Sequence, residues 1–150
     1  MSADTVVLGT TDITISALGI GTWAWGDKWF WGYGGGTYTD DDLRAAFETA
    51  LAHGVYFFDT AEAYGRGRSE TLLGEFARAA GRPVVIATKC FPYPYRLSRR
   101  SLRKALTASL RRLGMERVDL YQMHWPFPPV PIPAWMEAMA DAYEDGLIRA

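Results

Sequence analysis

Apolar residues alternate between two patterns along the chain: short, nearly unbroken runs, and longer stretches in which they recur three and four positions apart. The unbroken runs are "SALGIGTW" (16–23), "VYFFDTA" (55–61), "PVVIATKC" (83–90) and "RVDLYQMHWP" (117–126). Runs of this length and continuity predict strands buried on both faces, as in a parallel sheet. Between them lie helical patterns. Leu43, Ala46, Phe47, Ala50 and Leu51 follow Thr39 and three aspartates, and Gly54 marks the stop. A second helix is predicted over 69–80, with Leu72, Leu73 and Phe76 inward and Gly81 ending it. In the third, Ser98 caps a stripe of Leu102, Ala105, Leu106, Leu110 and Leu113 that closes at Gly114. A fourth helix is predicted over about 134–145, after a proline-rich loop, and "GLIRA" (146–150) opens a fifth strand. Ahead of all this, "TVVLG" and "DITIS" flank the turn-forming "TT" and predict an antiparallel hairpin placed to plug one end of a larger fold.

Strict alternation of strand and helix predicts an α/β fold of right-handed βαβ crossovers, with a parallel sheet and helices outside it. Each unit takes about 35 residues, and a closed eight-unit barrel needs roughly 250 or more. The 150 residues supply four units and the start of a fifth. The expectation is therefore half of a (β/α)8 barrel, residues 1–150, with no separate second domain. Such a half leaves inner strand surface open, and self-association or pairing with a complementary half is expected.

Composition narrows the partners. A formal charge of −1 gives no electrostatic reason to expect nucleic acid or an anionic membrane. The basic run 96–112 holds Arg99, Arg100, Arg103, Lys104, Arg111 and Arg112 around an apolar stripe, which reads as a solvated outer helix face. The one cysteine, Cys90, has no disulfide partner and reads as core packing. The start "MSADTVVLG" lacks the pattern of a secretory signal, so a reduced, cytoplasmic setting is expected. No metal ligands are assigned.

In parallel α/β folds, function sits at the carboxyl ends of the strands. There the predicted strands end on Asp59, Lys89 and His124, and the loop after Asp59 adds Tyr64. Any one of these has an ordinary structural explanation. Together they fit carbonyl reduction. A phenol ordinarily titrates near ~10, and a neighbouring ammonium stabilises its phenolate. Lys89 is the candidate ammonium, and Asp59 is placed to supply the counter-charge that a buried lysine requires. A neutral His124 would donate a hydrogen bond to the carbonyl oxygen while Tyr64 protonates it. The hydride must come from a cofactor, since no side chain carries one.

"GIGTWAWG" (19–26), "FFDTAEAYG" (57–65), "VVIATK" (84–89), "LTASLRRLGMERVDLYQMHWP" (106–126) and "EDGLIRA" (144–150) together resemble the N-terminal half of an aldo-keto reductase, most like its bacterial and plastid pyridoxal-reductase branch. The resemblance implies a TIM barrel that reduces an aldehyde or ketone with NADPH. In it Tyr64 would be the general acid, Lys89 and Asp59 its tuning pair, and His124 the carbonyl-orienting residue. It further implies that Gly21, Thr22, Trp23 and Asp59 approach the nicotinamide end of the cofactor, and that Trp25 and Trp125 line the substrate pocket. Most of the family's cofactor site lies in the other half of the barrel, and "GRGRS" (65–69) does not replace it. A non-catalytic, cofactor-sensing or partner-binding half barrel is the alternative.

Overall fold

The computed structural model describes residues 4–126 and 129–150; residues 127 and 128 of the predicted proline-rich loop lie outside the described residues. The hairpin forms as expected. Strands β1 (Thr5–Val7) and β2 (Thr14–Ser16) pair antiparallel with Val6 opposite Ile15. Ser16 ties the hairpin to the amino ends of the main strands, where its Oγ accepts from the amides of Tyr56 and Phe57.

Four strands then alternate with four helices: β3 (Gly19–Gly21), α1 (Asp40–Ala52), β4 (Phe57–Asp59), α2 (Arg68–Ala80), β5 (Val85–Cys90), α3 (Arg99–Leu113), β6 (Leu120–Met123) and α4 (Ile132–Glu144). The sheet is wholly parallel in the order β3-β4-β5-β6. A fifth parallel strand begins where Ile148 bridges Val118, and the Tyr121 amide reaches the Ala150 carbonyl at 2.9 Å. This is the open half of a (β/α)8 barrel with an N-terminal hairpin.

The capped helices start where the sequence places them. Thr39 and Asp42 form a reciprocal capping box at α1, and Ser98 and Ser101 do the same at α3. Gly81 and Gly114 end α2 and α3 in the left-handed conformation that glycine adopts without strain. Helix α4 starts two residues earlier than predicted, because Pro133 sits in its first turn, where a missing N–H costs nothing. The strands are shorter than their apolar runs. Val55 donates to the Ala50 carbonyl at the end of α1, so the chain reaches the sheet only at Phe57.

The core lies between sheet and helices. Phe58 packs against Phe47 with ring centroids 4.8 Å apart, and Leu72, Leu73, Ile86, Leu102, Leu106, Leu113 and Trp135 are all buried with it. On the opposite side, register sets Gly21 beside Asp59, Asp59 beside Ala87 and Lys89 beside Gln122. Gly19, Gly21 and Gln122 are exposed, as expected of a barrel interior left open. Among the described residues no helix is long and apolar enough to cross a membrane.

Candidate active site

Parallel strands in register deliver side chains of one parity to one face, and here they bring three groups from adjacent strands to the carboxyl end of the sheet. Asp59 is the last residue of β4, and Lys89 the penultimate residue of β5. His124 follows β6, and its amide donates to the Cys90 carbonyl at 2.9 Å, which fixes the backbone beside the end of β5. The Lys89 ammonium donates to Asp59 Oδ2 at 2.6 Å and to the Thr60 carbonyl at 2.9 Å. Its Nζ stands 5.1 Å from the ring centroid of Tyr64. Tyr64 opens the short kinked turn Tyr64–Gly67, in which Gly65 and Arg66 take left-handed backbone conformations, and meets the His124 imidazole edge-on at 5.5 Å. Asp59, Tyr64, Lys89 and His124 thus meet around one point.

Burial holds the His124 pKa below its ordinary value, and the Lys89 ammonium pushes the same way against the opposing Asp59 and Glu62 carboxylates. The ring is neutral at pH 7. An unfolded imidazole takes its proton near ~6.5; the folded one takes it only at lower pH. Between the two values the unfolded state binds more protons, so stability is complete above ~6.5 and declines as pH falls below it. His124→Gln is expected to flatten that decline in urea titrations at pH 5 to 7, with a ring-proton NMR titration of His124 giving the shifted midpoint directly.

Of the other predicted site residues, Trp23 and Trp125 lie at the site. Trp23 is half exposed, 6.4 Å from Tyr64 and edge-on to Trp31 at 5.6 Å, and Trp125 stacks on His124 at 6.0 Å. Gly21 ends β3 with open space above it, since an added Cβ would meet nothing within 4 Å. Thr22 and Trp25 are placed differently from expectation. Thr22 is fully buried, and its hydroxyl is engaged by Ser69 Oγ at 2.8 Å and the Asp59 carbonyl at 3.1 Å, so it braces the end of β3 from behind. Trp25 is 5% exposed and packs on Phe58 and Phe76 in the helix-side core, because a turn from Thr22 carries the chain back over the sheet edge.

Two supports were not foreseen. Glu62 and Arg96 form a buried bidentate ion pair, with Oε2 accepting from Nη2 at 2.7 Å, and Glu62 Oε1 also accepts from the Phe91 amide at 2.6 Å. It fixes Phe91, whose ring stands edge-on to His124 at 5.4 Å. Glu70, with no exposure at all, accepts from Thr88 Oγ1 and from Arg112 Nε, each at 2.6 Å, and locks α2 and α3 to β5. The one legible signal for Glu62 was its place between Asp59 and Tyr64 in "DTAEAY". Cys90 is buried as predicted, and burial, with the Glu62 charge adding to it, pushes its thiol up to about 11. Thiol-exchange labelling at pH 8 is expected to leave Cys90 unmodified until the chain is unfolded in denaturant.

The sequence model of the Aldo/keto reductase family matches residues 17–150, the whole of the parallel sheet and its helices. The chain belongs to that family. It is 40% identical over 151 residues to the chloroplastic pyridoxal reductase of Arabidopsis thaliana, covering 92% of this chain and 41% of that protein. Its fold superposes with a TM-score of 0.79 on an aldo-keto reductase of Klebsiella pneumoniae in complex with NADPH, at 30% identity, covering 99% of this chain and 48% of that one. It superposes equally, at 34% identity, on the thermostable aldo-keto reductase Tm1743 bound to the inhibitor epalrestat, covering 97% of this chain and 51% of that one. The chain thus spans about two fifths to one half of the length of these relatives.

Proposed function

We propose that this chain is the N-terminal half of an NADPH-dependent aldo-keto reductase, carrying the proton-transfer machinery for reduction of an aldehyde or ketone to an alcohol. The observation that carries the proposal is the convergence of the Lys89–Asp59 ion pair, the Tyr64 phenol and the neutral His124 imidazole at the carboxyl ends of β4, β5 and β6. Open space above Gly21, which lies beside Asp59, and the exposed face of Trp23, which lies beside Tyr64, suit the flat approach of a nicotinamide ring. When bound, NADPH supplies the hydride for the carbonyl carbon.

The chain's own residues do the rest. His124, neutral, donates a hydrogen bond to the carbonyl oxygen and orients it. Tyr64 delivers its hydroxyl proton to that oxygen as negative charge develops there, and the Lys89 ammonium stabilises the phenolate left behind. Asp59 and the Thr60 carbonyl fix the ammonium in position. Trp23, Trp31 and Trp125 supply flat apolar walls around this point, which suits an aromatic carbonyl compound.

The test compares the chain alone with the chain joined to the C-terminal half of a barrel from a relative, following NADPH consumption with an aromatic aldehyde. Turnover is expected from the joined protein and little or none from the chain alone. A joined protein that folds and binds NADPH but reduces no aldehyde or ketone overturns the proposal in favour of a cofactor-sensing role.

A further inference from the structure

We propose that a groove along α3 binds a nucleoside polyphosphate, with its phosphates on Arg100, Lys104 and Arg111 and its base on Tyr95. Residues 91–115 hold seven of the chain's sixteen Arg and Lys residues and no Asp or Glu. Carboxylates of neighbouring elements neutralise four of the seven: Glu62 pairs with Arg96, Glu70 with Arg112, Asp145 with Arg103, and Glu137 and Asp141 with Arg99. Arg100, Lys104 and Arg111 make no ion pair among the described residues. They fall at i, i+4 and i+11, within about 40° of one another around the helix and along about 16 Å of its length. Together they border a groove of about 800 Å³ whose helix side includes the small residues Ala105 and Ala108.

The same groove reaches Tyr95, which is 72% exposed. Tyr95 lies parallel to Tyr93, with ring centroids 5.3 Å apart and an interplanar angle of 4°. The Arg96 guanidinium, anchored by Glu62, stands 5.0 Å from the Tyr93 centroid and 5.9 Å from that of Tyr95. Tyr95 is therefore an oriented aromatic platform beside a row of unneutralised cations, the pairing that takes a base and its phosphates. A short ligand fits better than a long polymer. Outside 91–115 the chain carries nine cations against seventeen carboxylates, a net of −8 that repels an extended polyanion.

The inference is independent of the proposed reductase activity, and Tyr95 and Lys104 lie outside the Tyr64 site. Titration calorimetry of the 150-residue chain with ATP, with tripolyphosphate and with a short single-stranded DNA oligonucleotide tests it. ATP is expected to bind with one-to-one stoichiometry, about tenfold more tightly than tripolyphosphate through stacking of the base. Tyr95→Ala should erase that difference and leave tripolyphosphate binding unchanged, whereas Lys104→Glu should weaken both about tenfold or more. Both side chains are exposed, so thermal melting should show the variants folded as the parent is. Absence of saturable ATP binding, ATP affinity indifferent to Tyr95→Ala, or tighter binding of the oligonucleotide than of ATP overturns the proposal, the last in favour of a nucleic-acid surface.

Discussion

Tyr64→Phe in the joined protein is expected to lower aldehyde turnover by about 10²- to 10⁴-fold, the usual contribution of a positioned general acid. The substitution removes one oxygen and nothing else. The ring still meets His124 edge-on and still packs near Trp23, so the melting temperature and NADPH binding should stay at parental values. Loss should therefore fall on kcat, with KM for the aldehyde changing little, because the proton is transferred in the transition state and not in the ground-state complex. Lys89→Met should give a loss of similar size, and the double variant should be scarcely worse than either single one, as the proposed joint action of ammonium and phenol requires. A Tyr64→Phe enzyme turning over at the parental rate would refute the proton-donor role outright.

That the polar residues converging at the strand ends are legible in the sequence reflects the geometry of parallel sheets. A run of apolar residues with a titratable group at its end has few placements other than a buried strand opening onto a polar mouth, and Asp59, Lys89 and His124 each had that form. Period failed where the chain leaves the strand. Nothing in "GTWAWG" distinguishes the two tryptophans, yet a turn at Thr22 sends Trp23 to the mouth and Trp25 into the helix-side core. Thr22 shows the same limit at shorter range, since its neighbour Gly21 faces the open interior while its own hydroxyl lies behind the sheet. Glu70 was illegible for another reason. A carboxylate in a helix reads as solvated unless its partner is known, and the partner, Arg112, is 42 residues away in the chain.

The α2–α3 contact gives the largest stability prediction. Leu72, Leu73 and Phe76 mark the face of α2 that packs on the sheet, but Glu70 and Gly74, four residues apart, mark a second face turned toward α3. At Gly74 the helices approach so closely that a Cβ would stand 2.6 Å from the Leu113 carbonyl carbon and 2.7 Å from its Cα, and nearer still to its oxygen. These are backbone atoms at the C-terminus of α3, held by the Gly114 cap and by Arg78, whose Nη1 donates to the Leu113 carbonyl at 2.8 Å. No side-chain rotation relieves the clash, so α2 and α3 must separate, pulling Glu70 from Arg112 and opening the core around Leu113. Gly74→Ala improves helix propensity by about 1 kcal/mol. Overpacking against rigid backbone, at about 3 kcal/mol, is nonetheless expected to dominate, for a net loss of about 2 kcal/mol, or a fall in melting temperature of roughly 4–8 °C for a chain of this size. Gly81→Ala is the control: its Cβ would meet nothing within 4 Å, so only the left-handed backbone at φ +59° opposes it, at about 1 kcal/mol. Equal melting temperatures for the two variants would show that α2 and α3 are not in the close contact described.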